Sequence, residues 1–376
     1  MSERREPIPT SAPAVVSFEG VTCRYGDLVA VDDVTLRLPP GVVVGVVGPS
    51  GSGKTTIVRT MRGAVSPELG TVRVFGRDPR YLPQWDRRRL GYMPQTFSLY
   101  PDLTAEENVD FVASLFGLLY PKRRRRTREV LHAVDLWSVR KRRAEHLSGG
   151  MQRRLQLAST LVHDPDLLLL DEPTAGLDPL LRARVWEEAR RLREAGRTIL
   201  VTTQYVGEAE ECDVVALIVE GRLAAIGTPD ELRDQAVGGD LLVIETSRPI
   251  TEGEWRDLPE VDGVRPIGPR RARVRVTSAA RALPELVARL ADRDVRVVEA
   301  SEERPSFDEV FAELVHRVRG QAGAGGPDGA RAETTAGAAM SATVRTPPDV
   351  LPASEHVESE TTKPGMASSA NGRPQP

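Results

Sequence analysis

The run Gly48-Pro49-Ser50-Gly51-Ser52-Gly53-Lys54-Thr55, continued by Thr56, satisfies the spacing G-x-x-x-x-G-K-[ST]. Glycines at those positions let the main chain curl until successive N–H groups converge on one phosphate, and a helix that starts at the end of the loop adds its partial positive charge. Lys54 is then placed to reach β- and γ-phosphate oxygens, and Thr55 to offer its hydroxyl to Mg²⁺. The motif needs a strand before it and a helix after it. Val42 to Val47 are apolar apart from Gly45, and Ile57, Val58 and Met61 mark one helical face. Such a loop serves kinases, GTPases, helicases and transport ATPases alike, so the rest of the site must decide.

A second apolar run, Leu167 to Leu170, ends in Asp171 and Glu172. A carboxylate at a strand end can hold Mg²⁺ through its water shell, and an adjacent one can orient and deprotonate an attacking water. Asp171 takes the first role and Glu172 the second. Upstream lies Leu147-Ser148-Gly149-Gly150 at the head of a helical segment. Ser148 with the amides of Gly149 and Gly150 makes another anion site at a helix N-terminus.

In this order, phosphate loop, Ser-Gly-Gly segment and Asp-Glu strand, the sequence from about Val15 to Arg233 resembles the ATP-binding cassette (ABC) family. The resemblance implies a phosphate-loop NTPase cassette of α/β class carrying a helical subdomain at about 97–160. It also implies that Ser148, Gly149 and Gly150 of one subunit close over the γ-phosphate held by a second copy of the chain. Tyr25 resembles the aromatic that stacks on adenine. Gln95, in GYMPQ, resembles the lid glutamine that senses both Mg²⁺ and the attacking water. Asp178, in AGLD, resembles the residue that communicates across the dimer. Phe97, Leu99 and Tyr100, just past Gln95, are expected to help receive a cytoplasmic helix of a separate multi-pass membrane permease.

Two positions depart from the family pattern. Met151 stands where a glutamine usually follows the second glycine, with Gln152 next. Gln204 stands after the run Thr198 to Thr203, where a histidine usually contacts the γ-phosphate. A glutamine amide donates a hydrogen bond but carries no titratable charge, so hydrolysis is expected to survive without the pH dependence of that histidine. Gln204, DEPTAGLDP and a trailing α+β unit make the chain resemble the ATP-binding subunits of the daunorubicin-resistance type. That likeness implies ATP and Mg²⁺ as cofactors and ATP-driven export of antibiotics, other hydrophobic molecules or polysaccharides. It places the protein at the cytoplasmic face of the membrane as a peripheral homodimer.

The elements that must position these residues are legible as alternating apolar runs and amphipathic stretches between about Ser17 and Gly238, the pattern of a sheet flanked by helices. Val214 to Pro229 reads as two strands joined by a hairpin at Glu220-Gly221. Past Phe97 the chain turns helical, with Leu115, Leu118 and Leu119 expected on one face and the basic run Lys122 to Arg126 on a solvated one. The domains expected are a flexible N-terminus at 1–14, the cassette at 15–238, an accessory α+β domain at 239–320 and a disordered tail at 321–376. The accessory domain offers strands at Leu241–Thr246, Ala272–Thr277 and Val295–Ala300, and a helix at Ala280–Ala291. Its last helix is announced by a capping box, Ser306 with Glu309, and buries Val310, Phe311, Leu314 and Val315. The tail has no aromatic residue, no Ile and a single Leu, so it cannot bury enough surface to offset the entropy of ordering.

Composition removes several alternatives. The 376 residues hold Lys+Arg 51 against Asp+Glu 54, a net charge of -3, which gives no bulk attraction to nucleic acid or anionic lipid. Cys23 and Cys212 stand far apart with no His or Cys at ligand spacing, so a disulfide framework and a zinc site both lack their residues, as in a cytosolic chain. The N-terminus carries charge and proline where an export signal needs an apolar core. Phe111 to Tyr120, as a helix, would rise about 15 Å against a hydrocarbon core of about 30 Å. A soluble ABC ATPase acting on ribosomes or nucleic acid is the competing reading, but such members carry two cassettes or a long coiled-coil insertion, whereas this sequence has one phosphate loop, one Ser-Gly-Gly segment, no internal repeat and no heptad insertion between Gln95 and Ser148. A regulatory or immunity ATPase is a third.

Overall fold

The computed structural model describes residues 14–323; the expected flexible N-terminus up to residue 13 and the expected tail from residue 324 lie outside the described residues. The runs that are apolar at nearly every position form a six-stranded sheet covered on both faces. Its order is β5 (Leu90–Met93), β6 (Leu167–Asp171), β7 (Thr198–Thr203), β3 (Val43–Val47), β8 (Val214–Val219) and β9 (Arg222–Gly227). All neighbours are parallel except β8 and β9, a hairpin whose turn residues Glu220 and Gly221 have φ of 51° and 82°. Two successive left-handed residues are what a two-residue hairpin turn demands. Side chains alternate between two cores: Val43, Val47, Leu168, Leu170, Ile199 and Val201 face one way, and Val44, Val46, Leu167, Leu169 and Leu200 the other. Each such side chain contributes about 1.5–3 kcal/mol on burial, so a two-sided sheet selects Val, Ile and Leu throughout.

One face is closed by helix α1 (Lys54–Met61) and a three-stranded antiparallel sheet, β2 (Leu28–Leu38), β1 (Val16–Tyr25) and β4 (Leu69–Val74) in that order. The short helix α2 (Gln84–Arg87) leads into β5. The other face receives the helical subdomain, α3 (Ala105–Leu115), α4 (Tyr120–Ala133) and α5 (Gly149–Leu161), followed by α6 (Pro179–Glu194) and α7 (Pro229–Val237). Here the structure corrects one expectation. Leu115, Leu118 and Leu119 do not share a helical face, because Gly117 with φ of 75° breaks the chain between α3 and α4, leaving Leu115 and Leu119 67% and 79% exposed. Within the basic run Lys122, Arg124 and Arg125 are exposed as expected. Arg123 instead pairs with Asp110 at 2.9 Å, and Arg126 donates to the Leu161 and Val162 carbonyls at the end of α5.

The accessory sheet is wholly antiparallel in the order β11 (Gly263–Pro266), β12 (Arg271–Val276), β10 (Asp240–Thr246) and β13 (Val297–Glu303). Helices α8 (Glu252–Arg256) and α9 (Ala279–Asp292), with Leu258 just after α8, cover one face through Trp255, Leu286 and Leu290. β11 and α8 escape the sequence reading because each is too short for a periodic pattern. β13 begins and ends later than expected because pairing with β10, not burial, fixes this exposed edge.

The last helix, α10 (Phe307–Gly323), starts at the expected box: Glu309 N–H donates to Ser306 Oγ at 3.4 Å and Ser306 N–H to Glu309 Oε2 at 3.1 Å. It runs past residue 320, so Gln321 to Gly323 belong to it and not to the tail. Its packing also differs from the expectation. Phe307, Val310 and Leu314 join the cassette core beside α7, not the accessory core, and Phe311 and Val315 are only half-buried. Arg317 seals this junction by donating to the Gln235 and Ala236 carbonyls at 2.7 Å each.

Candidate functional site

The parallel register brings three strand ends together. Val46 lies opposite Thr202, and Thr202 opposite Asp171, so β3, β7 and β6 deliver their C-termini to one edge. The phosphate loop leaves β3 there and is glycine-dependent at two close approaches. A Cβ on Gly48 would stand 2.1 Å from the Ile218 carbonyl oxygen, and one on Gly53, at φ of 100°, 2.2 Å from the Ala30 carbonyl oxygen. Within the loop Ser52 N–H donates to Pro49 O at 3.2 Å, while Ser50 and Gly51 are exposed and Thr56 is buried in the first turn of α1. Lys54 Nζ donates to the Gly48 and Pro49 carbonyls at 2.8 Å each. Burial pulls the Lys54 ammonium below its ordinary pKa, opposed by the nearby charges of Glu172 and Asp171.

Asp171 is fully buried. Its Oδ1 accepts from Thr202 Oγ1 at 2.6 Å and from Thr55 Oγ1 at 3.3 Å, whereas Oδ2 has no partner. Glu172 has φ of 51°, a left-handed conformation that costs a non-glycine residue about 1–3 kcal/mol. It is held there by its own N–H, which donates to Thr202 O and Oγ1 at 3.0 Å each. Gln95, one residue past Pro94 at the end of β5, donates from Nε2 to Glu172 Oε2 at 2.9 Å. A hydroxyl, a cationic amine, converging amides and two carboxylates therefore meet at one sheet edge, a set able to hold a phosphate chain with a divalent cation and to accept a proton from water.

Gln204 is exposed in the bend that follows β7, beside the phosphate loop, since Gly48 N–H donates to Thr203 O at 3.3 Å. Ser148, Gly149, Gly150 and Asp178 form a separate group. Ser148 caps α5, accepting from Met151 N–H at 3.4 Å, and Asp178 caps α6, accepting from Leu181 N–H at 3.0 Å. A Cβ on Gly150 would lie 3.4 Å from Leu177, so the starts of α5 and α6 are packed together. Tyr25 ends β1 with 43% of its surface exposed.

Three residues at the site were not singled out by the sequence. Thr202 bridges Asp171 and Glu172. Glu208 is buried and accepts from Thr203 Oγ1 at 2.6 Å and Thr174 Oγ1 at 3.0 Å, tying the bend before Gln204 to the loop after Glu172. Arg153 donates to main-chain carbonyls on both sides of the Gln95–Glu172 pair. A hydroxyl closing a strand and a charge one turn into an apolar helix are the only traces they leave in the sequence.

Between the loop after Gln95 and α3 lies a groove of about 770 Å³, lined among others by Leu99, Tyr100, Phe111, Leu115 and Phe116. Buried Asn108 shapes it, exchanging hydrogen bonds of 2.9 Å with the main chain of Tyr100, whose ring meets Phe111 edge to face at 5.0 Å. No helix among the described residues is long and apolar enough to cross a membrane.

Comparison with known proteins agrees with this geometry. The family model for the ABC transporter matches residues 31–175, and the model for the C-terminal domain of DrrA1-3-like ATP-binding proteins matches residues 227–315. The chain is 36% identical over 305 residues to the daunorubicin resistance ATP-binding protein DrrA3 of Streptomyces coeruleorubidus, covering 81% of this chain and 96% of that one. It is 39% identical over 238 residues to the Nod factor export ATP-binding protein I of Paraburkholderia xenovorans (strain LB400), covering 63% and 78%. Among solved structures, the dimeric post-hydrolysis state of the ATP-binding cassette MJ0796 bound to ADP and Pi superposes with a TM-score of 0.53 at 28% identity, over 57% of this chain and 98% of that one. With the catalytic half and the accessory half each matched in the same order, the chain belongs to the ABC transporter ATP-binding proteins, as an ABC ATPase of the daunorubicin-resistance type.

Proposed function

We propose that this chain is the ATP-hydrolysing subunit of an exporter, working as a homodimer on the cytoplasmic face of a membrane beside a separate permease. The observation that carries the reading is the meeting of Lys54, Thr55, Asp171, Glu172 and Gln95 at one sheet edge. ATP is bound with its adenine on Tyr25 and its phosphates in the cradle of Gly48 to Thr56. Lys54 exchanges the Gly48 and Pro49 carbonyls for β- and γ-phosphate oxygens. Thr55 and the unpartnered, fully buried Oδ2 of Asp171 fit a hard cation, with Gln95, bonded to the neighbouring Glu172, as the further residue that would hold it. Mg²⁺ bound there would neutralise charge on the phosphates. Glu172 orients the attacking water and takes its proton, and Gln204 donates a hydrogen bond toward the γ-phosphate.

Ser148, Gly149 and Gly150 close over the nucleotide of the partner copy, with Asp178 at the junction between the two subunits. The dimeric state of the related cassette MJ0796 supports this arrangement. The groove beside Tyr100 and Phe111 receives the permease. Closure of the dimer on ATP favours one state of that permease and hydrolysis releases it, which is how binding energy becomes transport. The names of the relatives, which speak of daunorubicin resistance and Nod factor export, support a drug or another hydrophobic or polysaccharide molecule as cargo.

The test is to tag the Glu172→Gln chain in its own cells, solubilise gently and identify what co-purifies by mass spectrometry. Recovery of a multi-pass membrane protein in stoichiometric amount is expected. Recovery with ribosomes or nucleic acid and no membrane protein would overturn the exporter reading.

A further inference from the structure

Arg153 sits in α5, just inside the turn that Ser148 caps, and only 7% of its surface is exposed. Its guanidinium makes no hydrogen bond to a carboxylate. Nη1 donates to the carbonyls of Pro94 at 2.7 Å and Gln95 at 2.8 Å, and to Gln156 Oε1 at 3.3 Å. Nη2 donates to the carbonyl of Asp171 at 2.5 Å and to that of Glu172. One planar fork thus spans the two segments whose side chains meet as the Gln95–Glu172 pair. Gln156, one turn further along α5, adds a parallel tie by donating to Thr96 O at 2.7 Å.

Burying a guanidinium without a counter-charge in contact is costly. A single carbonyl-capping role would not need five acceptors drawn from both loops and α5 itself. The arrangement fits a different requirement: Glu172 holds a left-handed main-chain conformation, and its carbonyl must be fixed from outside the strand for the side chain to keep its aim. α5 is also the helix whose first residues carry the Ser148-Gly149-Gly150 segment. We propose that Arg153 is a positioning residue for ATP hydrolysis, tying the Gln95–Glu172 pair to the Ser148 helix so that a shift of that helix moves the base of its own subunit. The proposal rests on the reading of Glu172 as base and Gln95 as its lid partner.

The test uses the full chain with Arg153→Gln and Arg153→Lys. Lysine keeps the charge but is a single point donor that cannot reproduce the fork, and it carries the comparison if the glutamine variant does not fold. The expected result is a split. The kcat for ATP falls about 10- to 100-fold, the cost of misplacing a reacting group by about 1 Å, while KM for ATP stays within about threefold. The same substitutions added to Glu172→Gln leave the ATP-dependent dimer intact by light scattering, because the nucleotide contacts remain. Near-normal kcat in the Arg153 variants, with Glu172→Gln slow, overturns the proposal alone. Parallel loss of kcat, dimer and thermal stability also overturns it, since Arg153 would then be structural. Normal turnover by Glu172→Gln overturns the base assignment and this proposal together.

Discussion

Gln95 Nε2 and Glu172 Oε2 are 2.9 Å apart, so a hydrogen bond between side chains joins the segment after β5 to the end of β6. Under the proposed assignment of Glu172 as base, hydrolysis requires that bond to be exchanged for one to water.

Gln95→Glu keeps the shape of the lid side chain but sets two carboxylates against each other. Like charges at this distance raise the pKa of the pair, so the base form is lost at a higher pH than in the natural chain. The expected outcome is a rate that falls about tenfold or more near neutrality and recovers as pH rises. Gln95→Ala lowers the rate without moving the limb. Steady-state ATPase profiles from pH 6 to 9 decide it, and an unmoved limb in Gln95→Glu counts against contact between the two groups.

Gly48→Ala puts a Cβ 2.1 Å from the Ile218 carbonyl oxygen, main chain that cannot swing aside. The loop must shift, with a loss of about 1–3 kcal/mol in stability and of the amide convergence that binds phosphate. Thermal unfolding with and without ATP is expected to show a lower midpoint and no stabilisation by nucleotide. A normal nucleotide-dependent rise would mean that the loop tolerates the methyl group.

Gln204→His introduces a group that titrates at about 6.5 in place of one that does not titrate. An imidazolium near the transferred phosphoryl group stabilises its developing charge, so the ratio of variant to natural rate is expected to rise as pH falls through that value. A ratio that stays constant from pH 5.5 to 8 would show that position 204 does not reach the reacting phosphate.

His163 lies beneath the groove, stacked on Phe116 at 3.6 Å with Nε2 bonded to the Leu90 carbonyl. Burial pulls its imidazole down to about 4, against a smaller upward pull from that carbonyl. The folded chain thus keeps it neutral where the unfolded chain protonates it. The linked stability is whole above about pH 6.5 and is lost at about 1.4 kcal/mol per pH unit as pH falls toward 4. Urea unfolding at pH 7 and pH 5 is expected to show the natural chain losing about 2 kcal/mol more than His163→Gln, and equal losses would mean that the ring is hydrated in the fold.

The chemistry was legible where the main chain itself needed particular residues. Gly48 and Gly53 are required by close approaches, and Asp171 and Glu172 are carboxylates at the C-terminal end of a strand buried on both faces. Arg153 was not legible, because its acceptors are carbonyls that any residue supplies, from segments distant in sequence. Glu208 hides in the same way, reading both hydroxyls through tertiary contact. For α10 the capping box and the apolar residues Val310, Phe311, Leu314 and Val315 announce a buried helical face, but amphipathicity does not say which core that face completes, and the side chains buried there are Phe307, Val310 and Leu314.

The place of α10 in the cassette core bears on how the protein is made. A nascent chain that has emerged as far as α7 already carries the phosphate loop, the Ser148 segment and the Asp171–Glu172 strand, yet its core still lacks Phe307, Val310 and Leu314. The accessory sheet must be synthesised and threaded past before α10 can return to fill the gap. The cassette core is therefore completed only after the accessory domain has been made. A chain cut short before α10 would leave that core open at three buried side chains, so its cassette is expected to unfold at a lower temperature than that of the full chain.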